Sequence, residues 1–291
     1  MNMQLLIKKL DTYERLMRLD KPVGILLLMW PTLWGLLIAG QGHPHWPIVL
    51  IFVTGVVLMR SAGCVMNDIA DRNYDGGVER TKNRPLISGE VTVKEAALLA
   101  ASLSVAAFIL VCFLNKMTIL LSVAALFLAV TYPLTKRFLA IPQAYLGIAF
   151  GCSILMAFSA VNNHIPAVAW WLLLANVFWA IAYDTEYAMV DRDDDLKIGV
   201  KSSAICFGKY DVLAIMVCYV AMLGVFAGVG QLLDFGHYYY LGLAAVLALI
   251  VWQYRMIKQR TPVNCFKAFR MNHWIGCALF FGLAAEYYLQ T

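Results

Sequence analysis

Apolar residues run along this chain in long blocks, and polar residues gather between them. A helical crossing of a bilayer needs about 20 mostly apolar residues. Nine blocks approach or reach that length: 22–40, 46–66, 95–114, 117–134, 142–161, 167–187, 212–233, 238–257 and 272–290. No run shows the short alternating segments of an outer-membrane barrel. The expected fold is all-α and integral to the membrane, with about nine transmembrane helices in one bundle forming a single polytopic domain over residues 1–291. The segment before the first block, "MNMQLLIKKLDTYERLMRLDKP", carries charges throughout and has no uninterrupted apolar core. It reads as an amphipathic helix on the membrane surface over residues 1–21, not as a signal peptide.

Composition agrees with this reading. The chain of 291 residues is 62% hydrophobic and 14% charged, with a mean hydropathy of +0.71. Soluble domains sit near roughly 45–50% apolar and about 25% charged. The seven cysteines are scattered without a CxxC pair, as small reduced core residues would be. His43 and His45 lie in a short turn with no cysteine or carboxylate nearby, which argues against a metal site there. The "GIAFG" run from Gly147 to Gly151 fits helix packing either within one chain or between chains.

Charge gives the bundle a direction. With nine spans, 22 of the 23 Lys and Arg fall on one side, Lys116 being the exception. The positive-inside rule then places the N-terminus and the 2–3, 4–5, 6–7 and 8–9 loops in the cytoplasm, and the C-terminus outside. Sixteen of the 18 acids share that side; Asp234 and Glu286 do not. The net charge of +5 thus averages over one face dense in both signs. No nucleic-acid partner is expected.

Two acidic clusters stand out on that face. "VMNDIADRNYDGG" carries Asp68, Asp71 and Asp75, spaced three and four apart, with Asn67 beside them. "AYDTEYAMVDRDDDLKIGVK" carries Asp184, Asp191 and Asp195, spaced seven and four. Either spacing puts the acids on one face of a helix. Both stretches contain D-R-x-x-D, and basic residues follow each: Arg80, Lys82 and Arg84 in one, Lys197 and Lys201 in the other. The halves read as a diverged internal repeat. Grouped carboxylates repel unless a cation intervenes. Nearby Arg and Lys could neutralise them in a solvated network, or they could be plain charge at helix ends. Two matched clusters at one depth favour a hard divalent cation, Mg²⁺ or Ca²⁺, because the donors are carboxylate and amide oxygens. Mg²⁺ completes its shell with substrate phosphate, and the interleaved Arg and Lys suit phosphate. A diphosphate with a membrane-soluble tail fits this pattern. Tyr74, Tyr132, Tyr183, Tyr187, Phe178 and Trp179 are candidates to stabilise an allylic cation, though packing or a place in an interfacial belt accounts better for each.

These residues carry a family resemblance. "NDIADRNYD" resembles the NDxxDxxxD motif of the UbiA-type intramembrane prenyltransferases, "DTEYAMVDRDDD" resembles their second aspartate motif, and "YPLTK" resembles their YxxxK element. Flanks such as "RLDKPVG" and "TKNRPLISG" extend the likeness over nearly the whole chain. "YAMVDRDDDLKIGVKSSAI" is most similar to the bacterial members that prenylate 4-hydroxybenzoate in ubiquinone biosynthesis. The resemblance implies an enzyme of the bacterial inner membrane with its site facing the cytoplasm. It would take a polyprenyl diphosphate and 4-hydroxybenzoate and use Mg²⁺. Asn67, Asp71, Asp75, Asp191 and Asp195 would hold the metal, with Asp68 and Asp184 in support. Lys136, Arg137, Lys197 and Lys201 would contact diphosphate, Arg137 counting with the aspartates as catalytic; Tyr132 would line the substrate site, and Arg72 would read the acceptor carboxylate. A same-fold enzyme with another acceptor remains an alternative. A transporter is disfavoured because the acids sit at helix ends instead of the midplane.

Overall fold

The computed structural model describes residues 3–77 and 80–289; the side chains of Leu5, Leu6 and Asp75 also lie outside the described set. Among the described residues there are eleven α-helices and no strand. They are α1 (Met3–Met17), α2 (Val23–Ala39), α3 (Trp46–Asp71), α4 (Val93–Val111), α5 (Lys116–Thr135), α6 (Pro142–Asn162), α7 (Ala167–Ile198), the short α8 (Ser203–Phe207), α9 (Asp211–Leu232), α10 (His237–Ile257) and α11 (Pro262–Leu289).

Local chemistry sets the boundaries. Proline occupies the first turn of α3 and α6, where its missing N–H has no partner to lose. Thr92 caps α4 by accepting the Glu95 amide at 3.2 Å, and Asn115 caps α5 by accepting the Thr118 amide at 2.9 Å. Gly199 stops α7 in the left-handed region at φ 74°, where a side chain would be strained.

Helices stand at all nine positions where spans are expected from the sequence. By length and apolarity, seven among the described residues can cross a membrane, with α8 and α9 counted as one stretch. The 17-residue α2 is apolar but short, and α11 falls outside that group. Two helices overrun their expected limits by ten residues or more. α7 reaches Ile198 and α11 starts at Pro262. At 32 residues, α7 spans about 48 Å at 1.5 Å per residue, longer than the roughly 30 Å hydrocarbon layer. Its last turns therefore project beyond the apolar layer, and they carry the second acidic cluster.

The main core joins α2, α6, α7, α9, α10 and α11 around Trp34, Trp179, Tyr219 and Phe226. The Gly147–Gly151 run packs α6 onto α7 within the chain: a Cβ on Gly147 would lie 2.7 Å from Val177 Cα, and one on Gly151 2.9 Å from Leu173 Cγ. Two acids serve the fold. Glu286 accepts the Gly236 and Tyr239 amides and so caps the start of α10. Glu186, fully buried, accepts hydrogen bonds from Asn272 (2.9 Å) and Tyr219 (3.1 Å), while Trp179 donates to Asn272 at 2.9 Å. This cluster ties α7 to α9 and α11 inside an apolar bundle, where buried polar groups need partners. A smaller core of Leu16, Val65, Val91, Ala96 and Ala100 docks α1 against α3 and α4.

Candidate active site

One cavity of about 1340 Å³ enters the bundle where α3, α5 and α7 end. Its mouth is lined by Asn67, Asp68, Asp71, Arg80, Arg84, Lys136, Asp184, Asp191, Asp195 and Lys201. Its depth is apolar, with Phe52, Ala107, Phe108, Val111, Ala125 and Leu126 on α3, α4 and α5. The same void thus offers charge at one end and hydrocarbon walls at the other.

The two aspartate motifs face each other across this mouth, each holding a cation. Lys136, just past the end of α5, places Nζ 2.8 Å from Asp71 Oδ2 and 3.4 Å from Asn67 Oδ1. Burial by itself would lower the Lys136 pKa, but the charge and hydrogen bond of Asp71 outweigh it and hold the ammonium above its ordinary value. On the other side Arg80 reaches both oxygens of Asp191, the shortest contact being 2.6 Å, and stacks over Tyr187 with 4.5 Å to the ring centroid. The Asp195 carboxylate makes no hydrogen bond or ion pair to a described residue, while its backbone carbonyl accepts the Gly199 and Val200 amides.

Asp68 has a different environment from its neighbours. Only 3% of its side chain is exposed, and it takes Arg18 on both oxygens at 3.0 Å and Arg84 at 2.9 Å. It therefore clamps the end of the N-terminal segment and the loop after α3 to the motif helix.

Several expected site residues stand elsewhere. Arg72 is exposed and is not among the residues that line the cavity. Arg137 is exposed, donates to the Ala70 carbonyl at 3.2 Å and covers the Tyr74 ring. Lys197 is exposed and pairs with Asp194 at 3.1 Å. Lys201 does line the cavity and donates to the Phe138 carbonyl at 3.1 Å. The Asp75 side chain lies outside the described residues. Of the aromatic candidates, Tyr74, Tyr132 and Tyr187 line the cavity, whereas Trp179 and Tyr183 belong to the core.

Arg60 was not expected in the site. It lies on α3 two turns before the first motif, in the cavity wall, with Nε 3.2 Å from the Gly24 carbonyl and its guanidinium over Phe150. Phe266 and Phe269 of α11 also reach the cavity and pack on Tyr187, with Phe269 4.7 Å from it between ring centroids. A cation within a span was one available signal for Arg60, because a charge in apolar surroundings needs a reason.

The donors at the mouth suit a hard divalent cation. They are carboxylate and amide oxygens from Asn67, Asp71, Asp191 and Asp195. No three described His, Cys, Asp or Glu side chains close into a ready-made metal cage.

An all-helical membrane bundle with an acid- and cation-lined cavity running into its apolar interior is an architecture for a reaction on a lipid-soluble, anionic substrate. The model of the UbiA prenyltransferase family matches residues 28–276, and the chain belongs to that family. It is 59% identical to a 4-hydroxybenzoate octaprenyltransferase of Paraburkholderia phytofirmans, over 96% of this chain and 97% of the relative. It is 57% identical to the protein of the same description from Dechloromonas aromatica, over 99% and 97%. Among solved structures, an apo UbiA homologue from Aeropyrum pernix superposes with a TM-score of 0.78 at 26% identity, covering 89% of this chain and 96% of that one. A UbiA homologue from Archaeoglobus fulgidus, solved with GPP and Mg²⁺, shares the fold at a TM-score of 0.72 and 18% identity, over 94% and 99%.

Proposed function

We propose that this enzyme transfers a long polyprenyl group from its diphosphate to the ring carbon ortho to the hydroxyl of 4-hydroxybenzoate, a step of ubiquinone biosynthesis. The observation that carries this reading is the single cavity joining two facing aspartate motifs, each with a cation, to an apolar depth. Full-length relatives at 57–59% identity described as 4-hydroxybenzoate octaprenyltransferases support the choice of substrates.

The diphosphate sits at the mouth between the motifs. Lys136, Arg80, Arg84 and Lys201 line that space and offer donors to phosphate oxygens. Asn67, Asp71, Asp191 and Asp195, with Asp75 from the same motif, would hold Mg²⁺. When bound, Mg²⁺ neutralises the charge that develops on departing diphosphate. The allylic C–O bond breaks, its electron pair leaves with the diphosphate, and the carbon chain keeps the positive charge. Tyr187 and Tyr132 line the cavity and offer π electrons to the cation, and the apolar depth keeps water away. The ring carbon of the acceptor then donates its π electrons to the cation, forming the C–C bond, and its ring proton leaves to restore aromaticity.

We assign Arg60 to the acceptor carboxylate in place of Arg72. Arg60 is the guanidinium in the wall below the mouth, and its fork fits a carboxylate. Acceptor choice is tested by supplying 4-hydroxybenzoate, homogentisate and dihydroxynaphthoate separately with a long-chain prenyl diphosphate. Prenylation of 4-hydroxybenzoate alone supports the reading. Equal or better use of another acceptor refutes it. We further infer that the enzyme lies in the bacterial inner membrane with the mouth facing the cytoplasm, a reading the positive-inside pattern supports.

A further inference from the structure

Asp211 lies outside both aspartate motifs and outside the cavity wall, yet it is 0% exposed. It opens α9, and both its oxygens are engaged. Oδ1 accepts the Val212 amide at 2.6 Å and Arg260 Nε at 2.8 Å. Oδ2 accepts a hydrogen bond from Arg192. Arg192 also donates to the Ala204 carbonyl of α8 at 2.9 Å, and Arg260 to the Lys209 carbonyl at 2.7 Å. One carboxylate therefore joins the end of α7, α8, the start of α9 and the turn between α10 and α11.

The position of Arg192 gives this knot its meaning. It lies on α7 between Asp191 and Asp195, the acids that face the cavity. Adjacent helix residues point about 100° apart, so Arg192 is directed away from Asp191 and toward α9. The projecting end of α7 is held on the cavity side by Arg80, whose own backbone lies in a loop. Behind, it is held by the Arg192–Asp211 pair, whose carboxylate is fully buried at the start of α9. Rotation of α7 by one residue would turn Asp191 and Asp195 from the cavity, and it would also draw Arg192 from the fully buried Asp211 carboxylate, which is strongly disfavoured.

We propose that Asp211 is a positioning residue for the second aspartate motif: through Arg192 it fixes the rotation of the last turns of α7 so that Asp191 and Asp195 face the cavity. The proposal rests on the reading of those acids as holders of Mg²⁺-diphosphate, and it goes beyond that reading in naming what sets their direction.

The test compares wild type, Asp211→Asn, Asp211→Glu and Arg260→Ala, all as full chains in lipid nanodiscs. Mn²⁺ binding in the presence of prenyl diphosphate is followed by electron paramagnetic resonance, hydrogen exchange is followed over residues 188–198, and steady-state kinetics are recorded. Removing the charge in Asp211→Asn is expected to weaken Mn²⁺ binding roughly tenfold and to raise the KM for prenyl diphosphate in parallel. Exchange at 188–198 should quicken, the KM for 4-hydroxybenzoate should hold, and Asp211→Glu should recover much of the loss. A folded Asp211→Asn protein with wild-type Mn²⁺ affinity and wild-type exchange at 188–198 overturns the proposal. So does faster exchange across α9–α11 with Mn²⁺ affinity unchanged, the mark of a purely structural tie. Should Asp211→Asn fail to fold, Arg260→Ala decides. Its side chain is 40% exposed, so a weakening of about threefold is expected, and none at all overturns the proposal. Wild type that binds Mn²⁺ but prenylates no aromatic acid refutes the proposed function while leaving the positioning test intact.

Discussion

Lys136 and Asp71 form an ion pair at 2.8 Å although 65 residues separate them in the chain. The pair exists because α5 stops one residue before Lys136 and α3 stops at Asp71, so two helix ends deliver opposite charges to one cavity. Lys136→Ala is expected to cost about 2 kcal/mol in transition-state binding, roughly thirtyfold in kcat/KM for the prenyl diphosphate. Because Asp71 holds the ammonium above its ordinary value of 10.5, its charge is present throughout the range below that value. It is lost only as pH rises past the raised value. The KM for prenyl diphosphate should therefore show no lysine-dependent rise between neutral and mildly alkaline pH, which a pH series in wild type and Lys136→Arg checks.

Asp68 should behave as a clamp more than as a metal ligand. Asp68→Ala leaves Arg18 and Arg84 without their shared anion, and loss of one member of a buried pair costs about 3–5 kcal/mol. Arg18→Ala should cost less, since 24% of that side chain is exposed and Arg84 still holds Asp68. Thermal unfolding in a fixed detergent measures both. Equal and small shifts would contradict the assignment.

Arg60 and Arg72 make a paired test of the acceptor site. Arg60→Ala should raise the KM for 4-hydroxybenzoate by about tenfold or more, the worth of a charge-assisted hydrogen bond, while the KM for prenyl diphosphate changes little. Arg72→Ala should leave both constants near wild type. Steady-state kinetics with each substrate varied in turn decide the matter.

Acid should release the N-terminal helix. Glu90 accepts Arg15 at 2.5 Å and Ser88 at 2.8 Å, and these bonds hold its pKa below the usual 4.5. A depressed carboxylate stabilises the fold above its unfolded value, and the contribution disappears as pH falls through the folded one. Limited proteolysis should find α1 protected at neutral pH and cut more readily below the ordinary glutamate range, and Glu90→Gln should be cut more readily already at neutral pH.

Much of the architecture was legible in the sequence because a bilayer imposes one length and one polarity on each span. The blocks at 46–66 and 142–161 fall within α3 and α6 for that reason. The end of α7 was less visible: helical spacing put Asp184, Asp191 and Asp195 on one face, but only the structure shows the stop at Gly199. Within the site, helical spacing put Asp68 and Asp71 on one face and Asp191 and Asp195 on another. Spacing carries no information on partners from distant loops, so Arg80 on Asp191 and Arg18 on Asp68 appear only once the loops are folded. In the sequence Arg60 is one of the 22 basic residues on the cytoplasmic side, and the family resemblance gives the acceptor carboxylate to Arg72. On the helix end Arg72 points outward, which adjacency in sequence does not reveal.

The central claim is that two facing aspartate motifs act together on a prenyl diphosphate and 4-hydroxybenzoate. The direct measurement incubates the purified protein in lipid with Mg²⁺, a long-chain prenyl diphosphate and 4-hydroxybenzoate and follows product by mass, with EDTA and Asp191→Ala as controls. The account predicts prenylated 4-hydroxybenzoate that disappears in both controls. Product that persists in EDTA, or no Mg²⁺-dependent release of diphosphate with any aromatic acceptor, would contradict it.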